Sequence, residues 1–574
     1  MFKKILPYVR PYRLAAILSP LFMMLEVVAD ILIPLAMARL VNAGVANRDV
    51  SVVLQQGGLM IALALFAVAT GIASAFCGAK AGYGIAYEMR KASYRSIQNY
   101  SFNNLDQISI PSLISRLTSD AETVGTVSMM SLRMAIRAPF MLIFALIAAI
   151  RIDSQLALIF AVVIPIIALL VFLLFNRAIP LFKNMRKKFD GLNATIQEQL
   201  AGIDVIKAFN RQKHAYEKFT ESNQALKMAS IQAIMVMISL MPLMALVVNA
   251  CLLAILWFGG LKVANEGMPT GNLIAFITYN TQIMMSLMML AGYVVNLTFG
   301  KTSFQRLQEA IETKPEMTDP SNPLPAVADG SIRFEDVYFR YPGYKEPILE
   351  NINLELAPGE SLGIIGPTGS SKSTLVQLIP RLYDPEQGRV LVGGQDVRDY
   401  RKKDLRAAIG MVLQQNTLVS GTIRSNMLWG KAEASDAEII EALKQAQAWE
   451  FVSQYEDLLD HKVEQGGSNF SGGQKQRLTI ARALLVNPKI LILDDSTSAV
   501  DMATDAKLQK AFKESLSEVT LLMIAQRISS VKDLDRILVL DQGRIEALGT
   551  HEELLEKSDI YQEIYRSQQR GLPA

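Results

Sequence analysis

The sequence predicts a polytopic α-helical membrane domain followed, on the same chain, by an α/β domain with a phosphate-binding loop. Of the 574 residues, 51% are hydrophobic, and the mean hydropathy of +0.25 is high for a soluble protein. The long apolar runs lie within residues 1–300, whereas residues 331–574 have the mixed composition of a soluble domain. This change in composition predicts two domains.

Six apolar segments are long enough to cross a bilayer, because about 20 apolar residues span its hydrocarbon core. They are residues 13–40, 54–77, 131–150, 156–175, 231–258 and 273–297. The loops after the second and fourth segments exceed fifty residues and hold most of the basic residues of this half. The positive-inside rule therefore places these loops, the N-terminus and the C-terminal domain in the cytoplasm. We expect the membrane helices to continue into the loops as amphipathic extensions.

A proline-rich stretch separates the two halves. Its prolines are Pro315, Pro320, Pro323 and Pro325. Such a stretch forms neither a continuous helix nor a central strand. We therefore predict a membrane domain with its loops over residues 1–312, a linker over 313–330 and the soluble domain over 331–574. The apolar run after the basic N-terminus is longer than a signal-peptide core, so we expect it to be retained.

Charge and cysteine content exclude several classes of protein. The 57 basic and 54 acidic residues nearly balance, and no run of like charges predicts a nucleic-acid partner. The two cysteines, Cys77 and Cys251, both lie in apolar segments. Neither a disulfide framework nor a zinc site with cysteine spacing is expected.

The soluble half contains a strand-like apolar run, SLGII, that enters a tight turn and leaves as a helix. This turn resembles the phosphate-binding pattern GxxxxGK[ST], in which backbone amides and a lysine hold phosphates and a hydroxyl holds magnesium. The predicted nucleotide contacts are Gly366, Pro367, Thr368, Gly369, Ser370, Ser371, Lys372, Ser373 and Thr374. Ser371 stands where the pattern has glycine and adds a Cβ close to the phosphates.

Further motifs occur in a fixed order around this loop. They are VYFRYP at 337–342, with Tyr341, MVLQQNTLVSGTI with Gln414, FSGGQKQR at 470–477, PKILILDD at 488–495 and SAVD at 498–501. Together they resemble the motifs of the ATP-binding cassette (ABC) family. The resemblance implies ATP and Mg²⁺ as cofactors, adenine stacking on Tyr341, and Ser373, Gln414 and Asp494 around the magnesium. It also implies that Ser471, Gly472, Gly473 and Gln474 complete the ATP site of a second subunit and that Asp501 has a catalytic role.

The membrane half also resembles ABC exporters. SLISRLTSD at 112–120 and EQLAGIDVIKAF at 198–209 look like the two intracellular loops of that family. The resemblance implies short coupling helices near residues 111–119 and 202–210. Six membrane helices fused to one cassette is the plan of an exporter half-transporter, which pairs with a second half in the lipid bilayer.

Two catalytic positions depart from the family pattern. Asp495 stands where the family has the glutamate that positions the attacking water, and Gln526 stands where it has histidine. Aspartate is one methylene shorter, and a misplacement of about 1 Å can cost roughly a hundredfold in rate. An amide donates a hydrogen bond to a phosphate, but it does not titrate.

With Ser371, both departures fall in motifs that serve this chain's own ATP, whereas the signature SGGQ is intact. We therefore expect a heterodimer in which this chain holds the degenerate site and its partner carries the glutamate and histidine. Two alternatives are a homodimer with two slow sites, and an ATP-regulated ABC protein that does not transport. The proposed heterodimer would export a small amphipathic or hydrophobic substrate such as a drug, lipid or peptide.

The substrate path is less clearly marked. Glu26 and Asp30 are four residues apart on the first segment and hence on one helix face. Ionisable groups at bilayer depth suggest a cavity and could attract a cation, unless the segment extends beyond the bilayer. The fifth and sixth segments are rich in methionine, which suits varied apolar cargo but is equally an ordinary packing residue. These methionines are Met235, Met237, Met241, Met244, Met284, Met285, Met288 and Met289.

Overall fold

The computed structural model describes residues 2–495 and 502–569. These residues form two compact units. The first comprises the chain up to Gln98 together with Pro111–Glu312, and the second comprises Asn99–Ile110 together with the chain from Thr313 onward.

Within its described residues, the first unit contains six helical spans long and apolar enough to cross a membrane. The helices up to residue 312 are α1 (Phe2–Val9), α2 (Arg13–Arg39), α3 (Val50–Gln98), α4 (Phe102–Gln107), α5 (Ile110–Ser115), α6 (Ala121–Ile152), α7 (Ser154–Ala201), α8 (Ile203–Ala208), α9 (Gln212–Ala264) and α10 (Thr270–Glu312). The interior of a bilayer offers no water to pair with backbone N–H and C=O groups. A membrane-spanning segment therefore pairs these groups internally, as an α-helix does. The 53-residue α9 is about 80 Å long, far more than the hydrocarbon thickness of about 30 Å. The predicted six helices with long extensions are confirmed.

Close helix packing in this unit depends on small residues. A Cβ on Gly82 of α3 would lie 2.7 Å from the Gly125 carbonyl oxygen of α6. Such close approach of backbones is typical of membrane helices. Deeper in the unit, Phe160 and Phe276 stack with ring centroids 5.4 Å apart, and the buried Tyr279 donates a 2.7 Å hydrogen bond to the Ile31 carbonyl oxygen.

The methionines of the fifth and sixth segments divide between two environments. Met244 and Met284 are 3% and 2% exposed and belong to this core, whereas Met235, Met241 and Met285 are 64–65% exposed. Packing therefore accounts for only some of them.

An ion-pair network joins α2 and α6. Arg137 of α6 contacts Glu26 with one guanidinium nitrogen and Asp30 with the other, the second contact being 3.1 Å. The two carboxylates do share one helix face, but Arg137 compensates part of their charge. Their attraction for a free cation is correspondingly smaller than the sequence suggested.

The described part of the second unit forms three sheets. Its strands are β1 (Ile332–Phe339), β2 (Leu349–Leu356), β3 (Ser361–Ile365), β4 (Gln387–Val392), β5 (Gln395–Asp396), β6 (Ile409–Val412), β7 (Gly421–Thr422), β8 (Lys462–Val463), β9 (Ile490–Asp494), β10 (Thr520–Ile524), β11 (Arg536–Asp541) and β12 (Arg544–Gly549). The largest sheet has the order β12-β11-β3-β10-β9-β6, and only its edge strand β12 pairs antiparallel. An antiparallel sheet has the order β2-β1-β4-β5, and β7 pairs with β8.

Helices flank these sheets. They are α11 (Lys372–Gln377), α12 (Lys402–Ala407), α13 (Ile423–Met427), α14 (Asp436–Gln445), α15 (Trp449–Val452), α16 (Gly472–Leu484), α17 (Met502–Ser515), α18 (His551–Lys557) and α19 (Asp559–Gln569). The central strands β9 and β10 read ILILD and TLLMI and are buried at every residue. Continuous apolar runs of this kind are typical of parallel strands covered on both faces. The α/β fold of the soluble half is thereby confirmed.

The short helix that packs with the second unit differs from the segment expected to form the first coupling helix. Residues 111–119 belong to the first unit, whereas the short helix α4 belongs to the second. Its Asp106 accepts a 2.8 Å hydrogen bond from the hydroxyl of Tyr383, and its Phe102 ring lies edge-on to the Tyr383 ring at 5.9 Å. The capping box of Ser101 and Asn104 begins this helix. The helix that contacts Tyr383 begins ten residues before the motif SLISRLTSD.

We predict that Arg137→Met destabilises the first unit, because it leaves the buried carboxylate of Glu26 without its cation. Breaking a partly buried ion pair in this way costs about 3 kcal/mol. Thermal unfolding of the full chain in detergent measures the loss. The matched control is Arg151→Met, which removes an exposed arginine from the end of the same helix. Equal unfolding temperatures for the two variants would contradict the prediction.

Candidate nucleotide-binding site

Three loops meet at one edge of the large sheet. In the register of the parallel strands, Ile524 of β10 pairs with Ile364 of β3 and with Asp494 of β9. The three strands therefore end at the same level. Ligands of open parallel sheets bind at this carboxyl edge.

The phosphate-binding loop follows β3 and begins helix α11. Gly366 approaches the neighbouring strand so closely that a Cβ there would lie 2.0 Å from the Leu540 carbonyl oxygen. Only glycine fits at such a position. The side-chain ammonium of Lys372 donates to the carbonyl oxygens of Gly366 and Pro367 at 2.9 and 2.8 Å, and to Ser370 at 3.2 Å. The lysine is thus folded back over the loop, at the position where a phosphate would be held.

Ser371 has a left-handed backbone, with φ 72° and ψ 24°, directly before α11. The family pattern has glycine here, and glycine adopts this conformation without steric cost. A residue with a Cβ pays about 1 kcal/mol or more. The departure from the pattern therefore strains the loop at Ser371.

Ser373 and Asp494 form the oxygen pair expected around magnesium. The Ser373 hydroxyl donates to Asp494 at 2.8 Å, and Asp494 is 1% exposed. Burial raises the pKa of Asp494. The hydrogen bond from Ser373 and the charge of Lys372 lower this pKa, whereas the charge of Asp495 raises it further. Burial lowers the pKa of Lys372, and the charges of Asp495 and Asp494 act against this. A hydroxyl and a carboxylate at this separation suit Mg²⁺, which prefers oxygen ligands.

The two catalytic departures contact each other. Gln526, just beyond β10, donates from its side-chain amide to Asp495 Oδ2 at 2.7 Å. Asp495 has φ 49°, a left-handed conformation that aspartate tolerates better than most residues. Its backbone N–H also donates to the Ile524 carbonyl oxygen at 3.1 Å. The Gln526 amide, which follows β10, therefore restrains the Asp495 carboxylate, which follows the adjacent strand β9.

A C-terminal side chain fixes the loop that carries Gln526. The Gln568 amide of α19 donates to the Gln526 carbonyl oxygen at 2.7 Å and accepts from the Ile528 N–H at 2.9 Å. This two-point contact restrains the backbone on both sides of Arg527. No sequence signal predicts this contact, because a glutamine near the end of a helix has no distinctive spacing.

Tyr341 connects the site to α4 through one aromatic ring. Its hydroxyl lies 3.1 Å from Thr374 Oγ1 and donates to Gln377 at 3.3 Å. Its ring meets the ring of Tyr383 edge-on at 5.1 Å. Burial, followed by the hydrogen bond to Asp106, raises the pKa of Tyr383, which keeps its hydroxyl protonated as a donor. The same tyrosine thus contacts both Tyr341 and α4.

These loops enclose a cavity of about 620 Å³. The sequence-predicted residues that line it are Tyr341, Gly366, Pro367, Thr368, Gly369, Ser370, Ser371, Lys372, Ser373, Thr374, Gln414, Asp494, Asp495 and Gln526. Sequence reasoning missed the apolar wall, which consists of Tyr344, Ile348, Ile365, Ile524 and Ile564. Isoleucines that end strands or face inward from a helix look like ordinary core residues, so no local signal marks them.

The signature residues lie apart from this cavity lining. Ser471 begins α16 as the N-cap: its N–H donates to Gln474 Oε1 at 2.9 Å, and its hydroxyl accepts from the Gln474 N–H at 3.3 Å. Gly472 and Gly473 form the first turn of that 13-residue helix. Its N-terminus offers the backbone amides that suit a phosphate. Asp501 lies outside the described residues.

Comparisons with known proteins agree with this architecture. Residues 16–287 match the family described as ABC transporter transmembrane region, and residues 349–498 match the family described as ABC transporter. The chain is 36% identical over 566 residues to an uncharacterised ABC transporter ATP-binding protein of Bacillus subtilis, which covers 99% of this chain and 98% of the relative. A second such protein, from Mycobacterium tuberculosis, is 35% identical over 566 residues and covers 98% and 97%.

A solved structure is similar over the full length. It is a bacterial Atm1-family ABC exporter with ATP bound, with a TM-score of 0.82, 25% sequence identity and 99% of each chain covered.

We predict that Ser371→Gly raises the free energy of unfolding of the soluble unit by about 1 kcal/mol, because it removes the left-handed strain. Denaturant unfolding of the full chain, followed by tryptophan fluorescence, measures the change. Ser370→Gly is the matched control: Ser370 is buried and accepts from Lys372, so that change destabilises. A loss of stability in Ser371→Gly would show that the strain argument is wrong.

Proposed function

This chain belongs to the ABC transporter family, and we propose that it is the non-equivalent half of a heterodimeric exporter. Its exporter fold and two domains support ATP-driven export, and the protein is a multi-pass membrane protein with its nucleotide-binding domain on the cytoplasmic side. The ABC transporter domain implies ATP binding. ABC exporters function as dimers. We propose that the second subunit of this dimer is a different, related half-transporter and not a second copy of this chain.

The hydrogen bond from Gln526 to Asp495 carries the proposal. In an active site of this family the acidic side chain must reach the attacking water. Here the carboxylate is one methylene shorter, and its Oδ2 is occupied by an amide at 2.7 Å. Retraction of this kind is expected to cost about a hundredfold or more in hydrolysis. We propose that this site binds ATP and turns it over slowly.

The signature segment supports the second half of the proposal. Its capping box is intact, and both glycines are in place at the start of α16. In the family this helix N-terminus faces the γ-phosphate bound by the other subunit. We propose that Ser471, Gly472, Gly473 and Gln474 complete a partner's ATP site, at which hydrolysis is rapid.

Within its own site, each residue has a proposed role. Tyr341 stacks on the adenine, and Lys372 turns from the loop carbonyls to the phosphates. Ser373, Gln414 and Asp494 would hold Mg²⁺, which neutralises phosphate charge when bound. Asp501, which lies outside the described residues, is proposed to act across the interface. Two nucleotides between the cassettes would then draw them together.

We propose that α4 passes this closure toward the membrane helices. Tyr383 contacts Tyr341 on one side and α4 on the other. A ligand that moves Tyr341 therefore has a direct mechanical route to Asp106. The second loop tip, α8 (Ile203–Ala208), is proposed as the other coupling helix.

The proposed cargo is a small amphipathic or hydrophobic molecule such as a drug, lipid or peptide. Mixed polar and apolar surfaces on the membrane unit support this class, including the exposed Met235, Met241 and Met285. A slow homodimer is the competing assignment, because every contact described here would occur twice in it. A non-transporting ABC protein is the third assignment.

We predict that the partner's catalytic glutamate, changed to glutamine, abolishes ATP turnover of the co-purified pair, whereas Asp495→Asn in this chain leaves most of it. The reason is that the shortened carboxylate contributes little to hydrolysis. Phosphate release measures turnover, and both variants must assemble as the wild type does. Equal losses would refute a degenerate site, and vigorous hydrolysis by the lone chain would favour a homodimer.

The double change Asp495→Glu and Gln526→His should raise hydrolysis by the lone chain at least tenfold, provided that copies of this chain pair in the assay. It restores both the reach of the carboxylate and a titratable side chain. Asp495→Glu alone is the matched control, because Gln526 still holds the acid. No gain from the double change would show that another feature, such as Ser371, limits this site.

We predict that Tyr383→Phe reduces cargo stimulation of ATPase activity severalfold and leaves basal activity nearly intact. It removes the hydrogen bond to Asp106 but keeps the ring against Tyr341. Tyr400→Phe is the matched control, because it removes an equally buried tyrosine hydroxyl, one that donates to the Val392 carbonyl oxygen at 2.9 Å. Unchanged stimulation in Tyr383→Phe would exclude this route of coupling.

A further inference from the structure

A groove of about 440 Å³ lies between α2 and α3 of the membrane unit. Its polar end contains Glu26, Asp30 and Arg133. Its apolar wall includes Val68 and Ile72 of α3, which are 59% and 65% exposed. A charged end joined to an apolar wall suits an amphiphile rather than a purely apolar molecule.

Two buried polar atoms of this groove have no hydrogen-bond partner within the described chain. Glu26 is 8% exposed, and Arg137 contacts its Oε1, but its Oε2 is unpartnered. Arg133 Nε is likewise buried and unpartnered. Such groups cost free energy unless a partner satisfies them. Glu26 Oε2 needs a hydrogen-bond donor, and Arg133 Nε needs an acceptor.

The charges of the cluster balance. Glu26 and Asp30 are opposed by Arg133 and Arg137, so a bound ion of either sign would add an uncompensated charge in an apolar setting. A ligand that supplies both a cationic donor and an anionic acceptor keeps the cluster neutral. The chemistry therefore favours a zwitterion.

The cluster lies midway along its helix. Glu26 is the middle residue of the 27-residue α2, which belongs to a span long and apolar enough to cross a membrane. Half of that helix is about 20 Å long, so the cluster is about 20 Å from either end of α2. An ionisable residue in the interior of a membrane-spanning helix points to a functional site.

We infer that this groove binds the head group of a zwitterionic amphiphile that has a primary ammonium beside an anionic phosphate. The ammonium donates to Glu26 Oε2, the phosphate accepts from Arg133, and the apolar chains lie along Val68 and Ile72. Phosphatidylethanolamine has this chemistry. The inference names a class of cargo for the proposed exporter. It rests on the proposed export function only for the direction in which the lipid moves.

Gly71 provides a specific test of the site. A Cβ on Gly71 would lie 2.9 Å from Glu26 Oε2, so Gly71→Ala covers the atom that the ammonium is inferred to contact. Gly58 lies on the same helix, and a Cβ there meets nothing within 4 Å. Gly58→Ala is therefore the matched control for the same substitution.

Native mass spectrometry of the delipidated full chain, titrated with single lipids and without nucleotide, measures binding directly. We expect phosphatidylethanolamine to bind roughly tenfold more tightly than phosphatidylcholine, whose quaternary ammonium has no N–H to donate, as expected for one hydrogen bond to a charged group. We expect phosphatidylglycerol, which is anionic and has no amine, to bind as weakly as phosphatidylcholine. Gly71→Ala and Glu26→Gln remove the preference, and Gly58→Ala keeps it.

Equal binding of the two lipids by the wild type would overturn the inference without any variant. An unchanged preference in a folded Gly71→Ala would overturn the assigned position. Glycerophosphoethanolamine, which has the head group without acyl chains, should bind far more weakly, and equal affinity would overturn entry from the bilayer. Because no ATP is present, these outcomes are independent of which ATP site hydrolyses.

Discussion

The nucleotide site depends on one constraint, the parallel hydrogen-bond register of β3, β10 and β9. Because Ile364, Ile524 and Asp494 pair at the same level, the phosphate loop, the Gln526 loop and the two aspartates leave the sheet side by side. A shift of one strand by one residue would turn its side chains to the opposite face and separate these groups. The buried apolar strands fix that register, and the chemistry of the site follows from it.

The same register explains why the two departures from the family pattern belong together. Asp495 and Gln526 follow adjacent strands, so a change in one alters the partner of the other. The side chain of aspartate is one methylene shorter than that of glutamate. The amide of Gln526, which follows the adjacent strand, donates to the Asp495 carboxylate at 2.7 Å. Histidine and aspartate at these positions would form a charged pair instead when the imidazole is protonated. The glutamine does not titrate, so its hydrogen bond to the carboxylate does not depend on protonation of the residue at position 526.

Much of the fold and the phosphate site could be predicted from the sequence, because these features have local signals. Apolar length marks the membrane helices, and a glycine-rich turn marks the phosphate loop. The position of α4 could not be predicted, since residues 102–107 contain no unusual residue and only the contact with Tyr383 distinguishes them from the recognised motif ten residues later. Arg137 was missed for a related reason: its partners Glu26 and Asp30 lie more than a hundred residues away.

Long-range contacts of this kind also include the link that we propose between the nucleotide site and α4. Tyr383 belongs to neither a phosphate motif nor a coupling motif, yet its ring lies against Tyr341 and its hydroxyl against Asp106. A rigid aromatic ring transmits displacement efficiently because protein interiors are close-packed and have few voids to absorb it. If Tyr341 stacks on adenine as proposed, its movement would therefore be transmitted to α4 whether or not ATP is hydrolysed at this site. The proposed slow site would then still contribute to transport, because ATP binding alone would displace α4, the proposed coupling helix.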